Sequence, residues 1–342
     1  MRAHTEDAGG AAEPDGSGGE RAGTGRVRAL DALRGFALCG IIFANAPAMA
    51  AMAYRDDAGQ RAIGRTVVDL AVQGRFFPIF SFLFGIGFAV ILANAEGRSA
   101  RPRLVLLRRL VALGLLGAAH QLLQPGEALL PYAIVGIVVL LPASFIPRWL
   151  VLGAGVVGTV LGVTAVHGGV GLIPGLFLLG MAVVRYGVVR ELAEKAWPAW
   201  VGLVAGGAGA AVLLARYGRD PMAPVFYDIQ PAAGLLLAIA LSGLLILLLK
   251  VPVLGGALSA VLEPLGRMAL TNYIAATLLL LVAVPLVGLA GSHDYLLMAL
   301  LCAGILAVQA LYSAWWLGSN RYGPLEWVLR RVTWWGTPPE RG

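Results

Sequence analysis

One histidine lies close to a carboxylate in a mainly apolar part of the chain. In RRLVALGLLGAAHQLLQPGEALLPYAIVG, His120 is followed, after a Pro–Gly break, by Glu127 and then by Tyr132. A carboxylate beside a neutral imidazole fixes the tautomer of the ring and stabilises the imidazolium ion, so these two residue types can form a general base. The alternative is that His120 is an interfacial residue at a helix end with no chemical role.

Polar residues also recur along the first apolar segment, LDALRGFALCGIIFAN. Asp31 and Arg34 are one helical turn apart, and Asn45 follows Arg34 after about three turns, so all three share one face of a helix. Charged groups at membrane depth are costly and usually mark a functional site. The stripe therefore predicts a helix that faces other helices or a wet channel. The alternative is that Asp31 and Arg34 only anchor the helix end at the headgroups.

The second apolar segment opens with QGRFFPIFSFLFGIGFA, in which Arg75 stands at the expected outer boundary of the membrane. Arg75 is a candidate for stabilising negative charge that develops during a reaction. An arginine that reaches up to the headgroups is the competing interpretation. Gly85 and Gly87 are typical of close helix packing.

Two further polar faces lie near the C-terminus. The segment LGRMALTNYIAATLL carries Arg267, Thr271, Asn272 and Tyr273 at the cytoplasmic start of the ninth expected span. The tenth span carries polar and aromatic residues at helical spacing, for which an interfacial aromatic belt is the alternative reading. The residues expected to line a channel or bind substrate are Asp31, Arg34, Asn45, Tyr132, Arg267, Thr271 and Asn272.

The composition identifies the environment of these residues. Of the 342 residues 58% are hydrophobic and only 13% are charged, whereas a soluble domain has about 25% charged residues. The net charge of +7 comes from basic residues scattered between apolar runs, which excludes the concentrated basic patch of a nucleic-acid-binding protein. We therefore expect the lipid bilayer as partner and no nucleic acid.

The apolar runs predict an all-α polytopic bundle of about ten transmembrane spans. A β-barrel is excluded because the alternating pattern of barrel strands is missing. The expected spans are 30–52, 76–95, 104–123, 129–146, 149–166, 170–186, 197–215, 231–250, 264–290 and 295–317.

The basic residues predict the orientation of the bundle. Most of them lie on the side that holds both chain ends, and this bias indicates cytoplasmic N- and C-termini. Residues 1–27 are rich in Gly and acidic residues and predict a disordered cytoplasmic tail. Residues 28–317 form the expected transmembrane domain, and 318–342 the expected amphipathic cytoplasmic tail.

Several stretches together resemble the YeiB-like (DUF418) family of bacterial inner-membrane proteins. They are LDALRGFALCGIIFAN, FFPIFSFLFGIGFA, the segment from Arg108 to Gly136, GRMALTNY and GPLEWVLRR. The resemblance covers nearly the whole chain after residue 27 and implies a multi-pass protein of the bacterial plasma (inner) membrane. Glu127 stands where this family usually has Asp, so an Asp-specific role is in doubt.

The resemblance extends more weakly to membrane-embedded acyltransferases, through the pattern of Asp31, Arg34 and Asn45. It implies transfer of an acyl group from cytoplasmic acyl-CoA to a sugar or lipid acceptor in the envelope. In that scheme Arg108 and Arg109 meet the phosphates of acyl-CoA, although charge bias across the membrane also explains both arginines. The expected catalytic residues are His120, Glu127 and Arg75.

Two other functions are compatible with the same residues. A transporter of small solutes or lipids would use the polar stripe of the first span as part of its pathway, although the chain lacks an internal repeat. A non-catalytic partner of an envelope complex would need none of these residues for chemistry. In each case we expect no bound metal or cofactor, with acyl-CoA acting only as a substrate, and the sequence does not predict the oligomeric state.

Overall fold

The chain is helical throughout the residues that its computed structural model describes, namely 17–189, 191, 195–217 and 224–335, apart from turns and one isolated bridge between Arg55 and Arg61. The first seven helices are α1 (Ser17–Met49), α2 (Ile63–Ala71), α3 (Phe76–Glu96), α4 (Pro102–His120), α5 (Leu129–Ala143), α6 (Arg148–Thr164) and α7 (Ile173–Arg185). The others are α8 (Trp197–Tyr217), α9 (Pro224–Leu248), α10 (Pro252–Arg267), α11 (Ala269–Leu286), α12 (Tyr295–Ser319) and α13 (Pro324–Thr333).

Within this described part, six segments are long and apolar enough to cross a membrane. They are Arg28–Met49, Ile63–Glu96, Trp197–Arg216, Asp228–Leu248, Ala269–Leu286 and Tyr295–Ser319. Three shorter apolar helices accompany them, namely Leu129–Ala143, Arg148–Thr164 and Gly169–Arg185. The protein is thus a multi-pass helical membrane protein. The ten expected spans all overlap helices, while the count of ten and the orientation stay predictions.

The helices begin and end where the local sequence supplies suitable groups. Proline stands in the first turn of α4, α10 and α13, where a missing backbone N–H costs nothing. The Asp294 carboxylate accepts a hydrogen bond of 2.9 Å from the Leu297 backbone N–H and so caps α12. Helix α1 starts at Ser17, inside the tail expected to be disordered, and residues 1–16 and 336–342 lie outside the described residues.

Two pairs of helices approach closely through glycine. Helix α1 packs against α10, with Gly35 facing the Leu262 carbonyl and Gly266 facing the Asp31 carbonyl. Helix α3 packs against α7 in the same way, with Gly85 against the Phe177 carbonyl. Backbones approach this closely only where no side chain intervenes. The packing role expected for Gly85 is therefore seen, whereas a Cβ at Gly87 would meet nothing within 4 Å.

The ninth expected span, 264–290, is divided between two helices. Helix α10 ends at Arg267 and α11 begins at Ala269, because Met268 leaves the helical conformation with φ −109° and ψ 30°. The Asn272 side-chain amide donates to the Leu265 carbonyl at 3.3 Å and so partly replaces a helical hydrogen bond near this break. Helix α10 itself was not among the expected elements.

Candidate functional site

A cavity of about 940 Å³ extends through the bundle. Arg109, in the first half of α4, and Gln121, directly after its last residue, both line it, and at the helical rise they are about 18 Å apart. The cavity therefore reaches across more than half of a bilayer core of about 30 Å. Much of its wall is an aromatic face of α3, formed by Phe76, Phe77, Phe80, Phe84 and Phe88.

Three arginines line one end of this cavity, which we call the arginine end: Arg34, Arg109 and Arg267. Arg34 donates to the Asp31 carboxylate at 2.8 Å, so Asp31 positions Arg34 rather than lining the cavity itself. The Arg267 guanidinium donates to the Arg321 carbonyl at 3.2 Å. With the carboxylates of Asp31 and of Glu326, which also lines this end, the three arginines leave a net charge of +1, which suits a phosphate or carboxylate.

Glu326 of α13 also lines the arginine end and holds the start of α11. Its carboxylate accepts hydrogen bonds from the backbone N–H groups of Leu270, at 2.7 Å, and Thr271, at 3.0 Å. The Thr271 hydroxyl donates to the same carboxylate at 2.6 Å. Glu326 therefore caps the N-terminus of α11, for which the neighbouring residues supply no side-chain cap. Thr271 contributes to this contact between α11 and α13 and does not line the cavity.

At the opposite end, which we call the loop end, His120 and Glu127 form a buried pair. The His120 Nδ1 atom lies 3.4 Å from a Glu127 carboxylate oxygen, and each residue is only 2% exposed. Glu127 accepts two further hydrogen bonds, from the backbone N–H groups of Leu129 at 2.7 Å and Leu130 at 2.6 Å. The carboxylate is thus fixed by the first turn of α5, and it lines the cavity.

The second ring nitrogen of His120, Nε2, is not engaged by Glu127, and His120 itself is not among the residues that line the cavity. A hydrogen bond from Nδ1–H to Glu127 leaves Nε2 with a lone pair, and Nε2 is buried without a hydrogen-bond partner among the described residues. The imidazole also meets the Tyr273 ring edge to face, with centroids 5.2 Å apart. Tyr273, like Glu127, lines the cavity. The orientation is that of a general base held by a carboxylate.

Tyr132 and Asn45 both line the cavity. The Tyr132 hydroxyl is 2.7 Å from the Ser81 hydroxyl, and its ring packs against the rings of Phe84 and Phe177. These contacts fix the ring within the apolar wall. Tyr132 therefore shapes the cavity between its two ends.

Neither Arg75 nor Arg108 lines the cavity. Arg75 is fully buried just before α3, and the neighbouring Gln73, Gly74 and Phe76 line the loop end. The Arg108 guanidinium donates to the Trp335 carbonyl at 2.6 Å and is directed away from the cavity that its neighbour Arg109 lines. The two adjacent arginines thus have different surroundings.

Asn272 connects three helices and does not line the cavity. Its side-chain amide donates to the Ser313 hydroxyl at 2.9 Å as well as to Leu265, and its backbone carbonyl accepts from the Gln309 amide at 2.7 Å. Asn272 is 1% exposed. The substrate role predicted for it is untested, and its contacts are those of a residue that joins α10, α11 and α12.

Replacing Asn272 by alanine should therefore lower the stability of the protein. The substitution leaves the buried Leu265 carbonyl and Ser313 hydroxyl without this partner, at a cost of about 1–3 kcal/mol for each group. The midpoint of thermal unfolding in detergent measures the effect. Asn320→Ala is the control, because Asn320 is exposed and bonds only within its own helix end. Equal midpoints for the two variants would contradict the assignment.

Some residues of the site carried no signal in the sequence. Gln73, Gln121 and Gln230 line the loop end but stand near helix ends, where polar residues are common. Glu326 reaches α11 from more than 50 positions away, so no local spacing indicates the contact. Within the described ranges, no group of three His, Cys, Asp or Glu side chains is arranged to hold a metal ion.

Comparison with known proteins gives two relatives and one family. The model of the family described as "Protein of unknown function (DUF418)" matches residues 183–336. The "Uncharacterized 39.9 kDa protein in amylase 3'region" of Bacillus acidopullulyticus is 34% identical over 330 residues, which cover 90% of this chain and 94% of the relative. The "Uncharacterized protein YxaH" of Bacillus subtilis (strain 168) is 33% identical over 145 residues, or 38% of this chain and 35% of the relative. No solved structure matches the chain.

Proposed function

The chain belongs to the DUF418 family of membrane proteins, and from that premise we propose that it is a membrane-embedded acyltransferase. It takes an acyl group from acyl-CoA on the cytoplasmic side and passes it to a hydroxyl or amine of a sugar or lipid in the envelope. The bundle lies in the bacterial plasma membrane with ten spans and both chain ends in the cytoplasm. In this orientation the arginine end faces the cytoplasm and the loop end faces outward.

The ten-span count rests on four helices beyond the six segments that are long and apolar enough to cross a membrane. Helices α5, α6 and α7 are short and apolar, and α4 is a 19-residue helix with three arginines. All four pack within the bundle, so they can cross along a locally thinned or tilted path that a lone helix cannot. With ten spans the arginine-rich segments at both chain ends share the cytoplasmic side, as the charge bias requires.

The observation that carries the proposal is that one cavity joins the arginine end to Glu127, the carboxylate that contacts His120. Its positive end suits the phosphates of coenzyme A, and its aromatic middle suits the pantetheine arm that carries the thioester toward the loop end. A general base beside the other end suits activation of an acceptor. Few other functions need all three features in this order.

The reaction follows from these positions. The acceptor attacks the thioester carbonyl carbon while its hydroxyl or amine proton passes to His120 Nε2, and Glu127 stabilises the imidazolium ion. Collapse of the tetrahedral intermediate breaks the carbon–sulfur bond. The imidazolium returns the proton to the sulfur, so the products are the acylated acceptor and free coenzyme A. The apolar walls keep water from competing with the acceptor.

Donor binding tests the cytoplasmic half of the proposal. We expect acetyl-CoA to bind the full chain in detergent, measured by calorimetry, and we expect Arg109→Gln to weaken the affinity at least about tenfold, because a charge-assisted hydrogen bond contributes about 1.5–3 kcal/mol. Arg108→Gln is the matched comparison, since this side chain is directed to Trp335. It should bind with unchanged affinity.

Two results would contradict this half of the proposal. Absence of saturable binding to any acyl-CoA would show that acyl-CoA is not the donor substrate. Equal loss of affinity in Arg108→Gln and Arg109→Gln would show a surface charge effect instead of a site in the cavity.

A transporter remains the second candidate, because a cavity that extends through much of the bilayer is also what a transport pathway needs. A transporter would release its ligand chemically unchanged and would depend on Arg34 and Asn45 more than on His120. A non-catalytic partner protein would tolerate changes at all three. Recovery of acylated or unaltered ligand from vesicles separates these functions.

A further inference from the structure

Arg75 is a buried cation whose hydrogen bonds are incomplete. The residue is 0% exposed, and its Nη1 atom donates to the Gln73 carbonyl. Neither Nε nor Nη2 has a partner in the described part of the chain. A buried charge with unsatisfied donors is unfavourable and calls for a counter-ion or another acceptor.

The acid that interacts electrostatically with Arg75, Asp69, is already shared. Asp69 of α2 accepts from the guanidinium groups of both Arg61 and Arg65, the latter at 2.9 Å. One carboxylate therefore serves two arginines besides Arg75, and these four side chains carry an excess of positive charge. A further negative group would reduce this excess of positive charge.

The backbone around Arg75 adds to this positive field. Helix α3 begins at Phe76, directly after Arg75, and no side chain caps it. The positive end of the dipole of a 21-residue helix thus lies beside the guanidinium. A Cβ at Gly234 of α9 would lie 3.8 Å from Nη1, so α9 approaches the guanidinium without a side chain between them.

The two unpartnered nitrogens are the pair that binds oxyanions. The Nε–H bond and one Nη2–H bond of a guanidinium run parallel and match two oxygens of a carboxylate or phosphate. Gln73 and Gly74, next to Arg75 in the chain, and Gln230 of α9 line the loop end of the cavity, so the buried guanidinium lies close to this part of the wall.

We infer that Arg75 and the N-terminus of α3 form an oxyanion-binding site at the loop end, distinct from the three arginines at the other end. The identity of the ligand rests on the proposed function: the ligand is the acceptor, and its anionic group is a phosphate or a carboxylate. The acceptor is then held by this group while its hydroxyl or amine faces His120.

Calorimetry with glycerol phosphate, acetate and uncharged glycerol tests the site in the full chain in detergent. Glycerol phosphate or acetate should bind saturably and glycerol should not, and the tighter anion identifies the group on the acceptor. Arg75→Gln should weaken anion binding at least tenfold, whereas Arg55→Gln should not, because Arg55 is an exposed arginine that donates to the Gly59 carbonyl. Arg75→Lys keeps the charge but lacks the parallel donors, and we expect an intermediate loss.

The outcome can be separated from that of the donor experiment. Acetyl-CoA affinity should be unchanged in Arg75→Gln, because the donor phosphates bind at the arginine end. Anion binding that depends on Arg75 in a protein that binds no acyl-CoA would support the site and reject the acyltransferase. No saturable anion binding, or equal binding in the unaltered, Arg75→Lys and Arg75→Gln proteins, would overturn the inference. Should Arg75→Gln fail to fold, Arg75→Lys and the unaltered protein decide it.

Discussion

Membrane vesicles that contain His120→Ala protein should transfer acyl groups about 100- to 10,000-fold more slowly than vesicles with the unaltered chain, since this is the usual contribution of a general base. The imidazole lies beside the cavity, and no other histidine shares its contact with Glu127 in the part of the chain described here. The measurement is incorporation of label from acetyl-CoA, labelled in the acetyl group, into envelope material.

His293→Ala is the matched control for this loss. His293 is exposed in the loop before α12, where its ring lies 3.7 Å from an Asp57 carboxylate oxygen. Its loss should leave transfer unchanged. Both variants should retain acetyl-CoA binding, which shows that the bundle is folded. Normal transfer by His120→Ala would remove the histidine from the mechanism and would favour the transporter.

Two glycines on opposite faces of α3 should respond to substitution in different ways. Gly87 lines the cavity with open space around it, so Gly87→Trp should fill the cavity, leave the fold intact and lower acetyl-CoA affinity about 100-fold or more. Gly85 lies against the Phe177 carbonyl, so even Gly85→Ala should force α3 from α7 and cost about 1–3 kcal/mol.

Thermal unfolding and calorimetry on both variants separate these effects. Gly87→Trp should keep the midpoint of the unaltered protein, and Gly85→Ala should lower it while keeping some binding at low temperature. A Gly87→Trp protein that binds acetyl-CoA normally would show that the donor does not occupy this cavity. That result would leave the arginine end without its proposed ligand.

The sequence predicted the helices better than their contacts. Every expected span overlaps a helix, including the glycine-rich runs that became α6 and α7, because long apolar segments have few alternatives in lipid. The break at Met268 was missed; two residues before it, Gly266 packs against the Asp31 carbonyl, which belongs to a distant segment. Contacts of that kind between distant segments leave no local pattern.

The same limit applies to the site. Arg34 and Asn45 of the stripe on α1 both line one cavity, since helical spacing fixes which residues share a face, whereas Asp31 contacts Arg34 and does not line it. Spacing could not distinguish Arg108 from Arg109, which differ by one position and by about 100° around the helix. Their separation depends on how α4 is rotated against α5 and α13, and that rotation is set by packing along the whole helix.

The cap that Glu326 provides for α11 has a consequence for biosynthesis. Residues 269–286 leave the ribosome well before residue 326, so α11 inserts without the carboxylate that completes its first turn. The wall of the arginine end then closes only after α13 has been made and has docked on α4. Until then α11 lacks its cap, and the order in which the helices are synthesised makes this wall one of the later parts of the bundle to form.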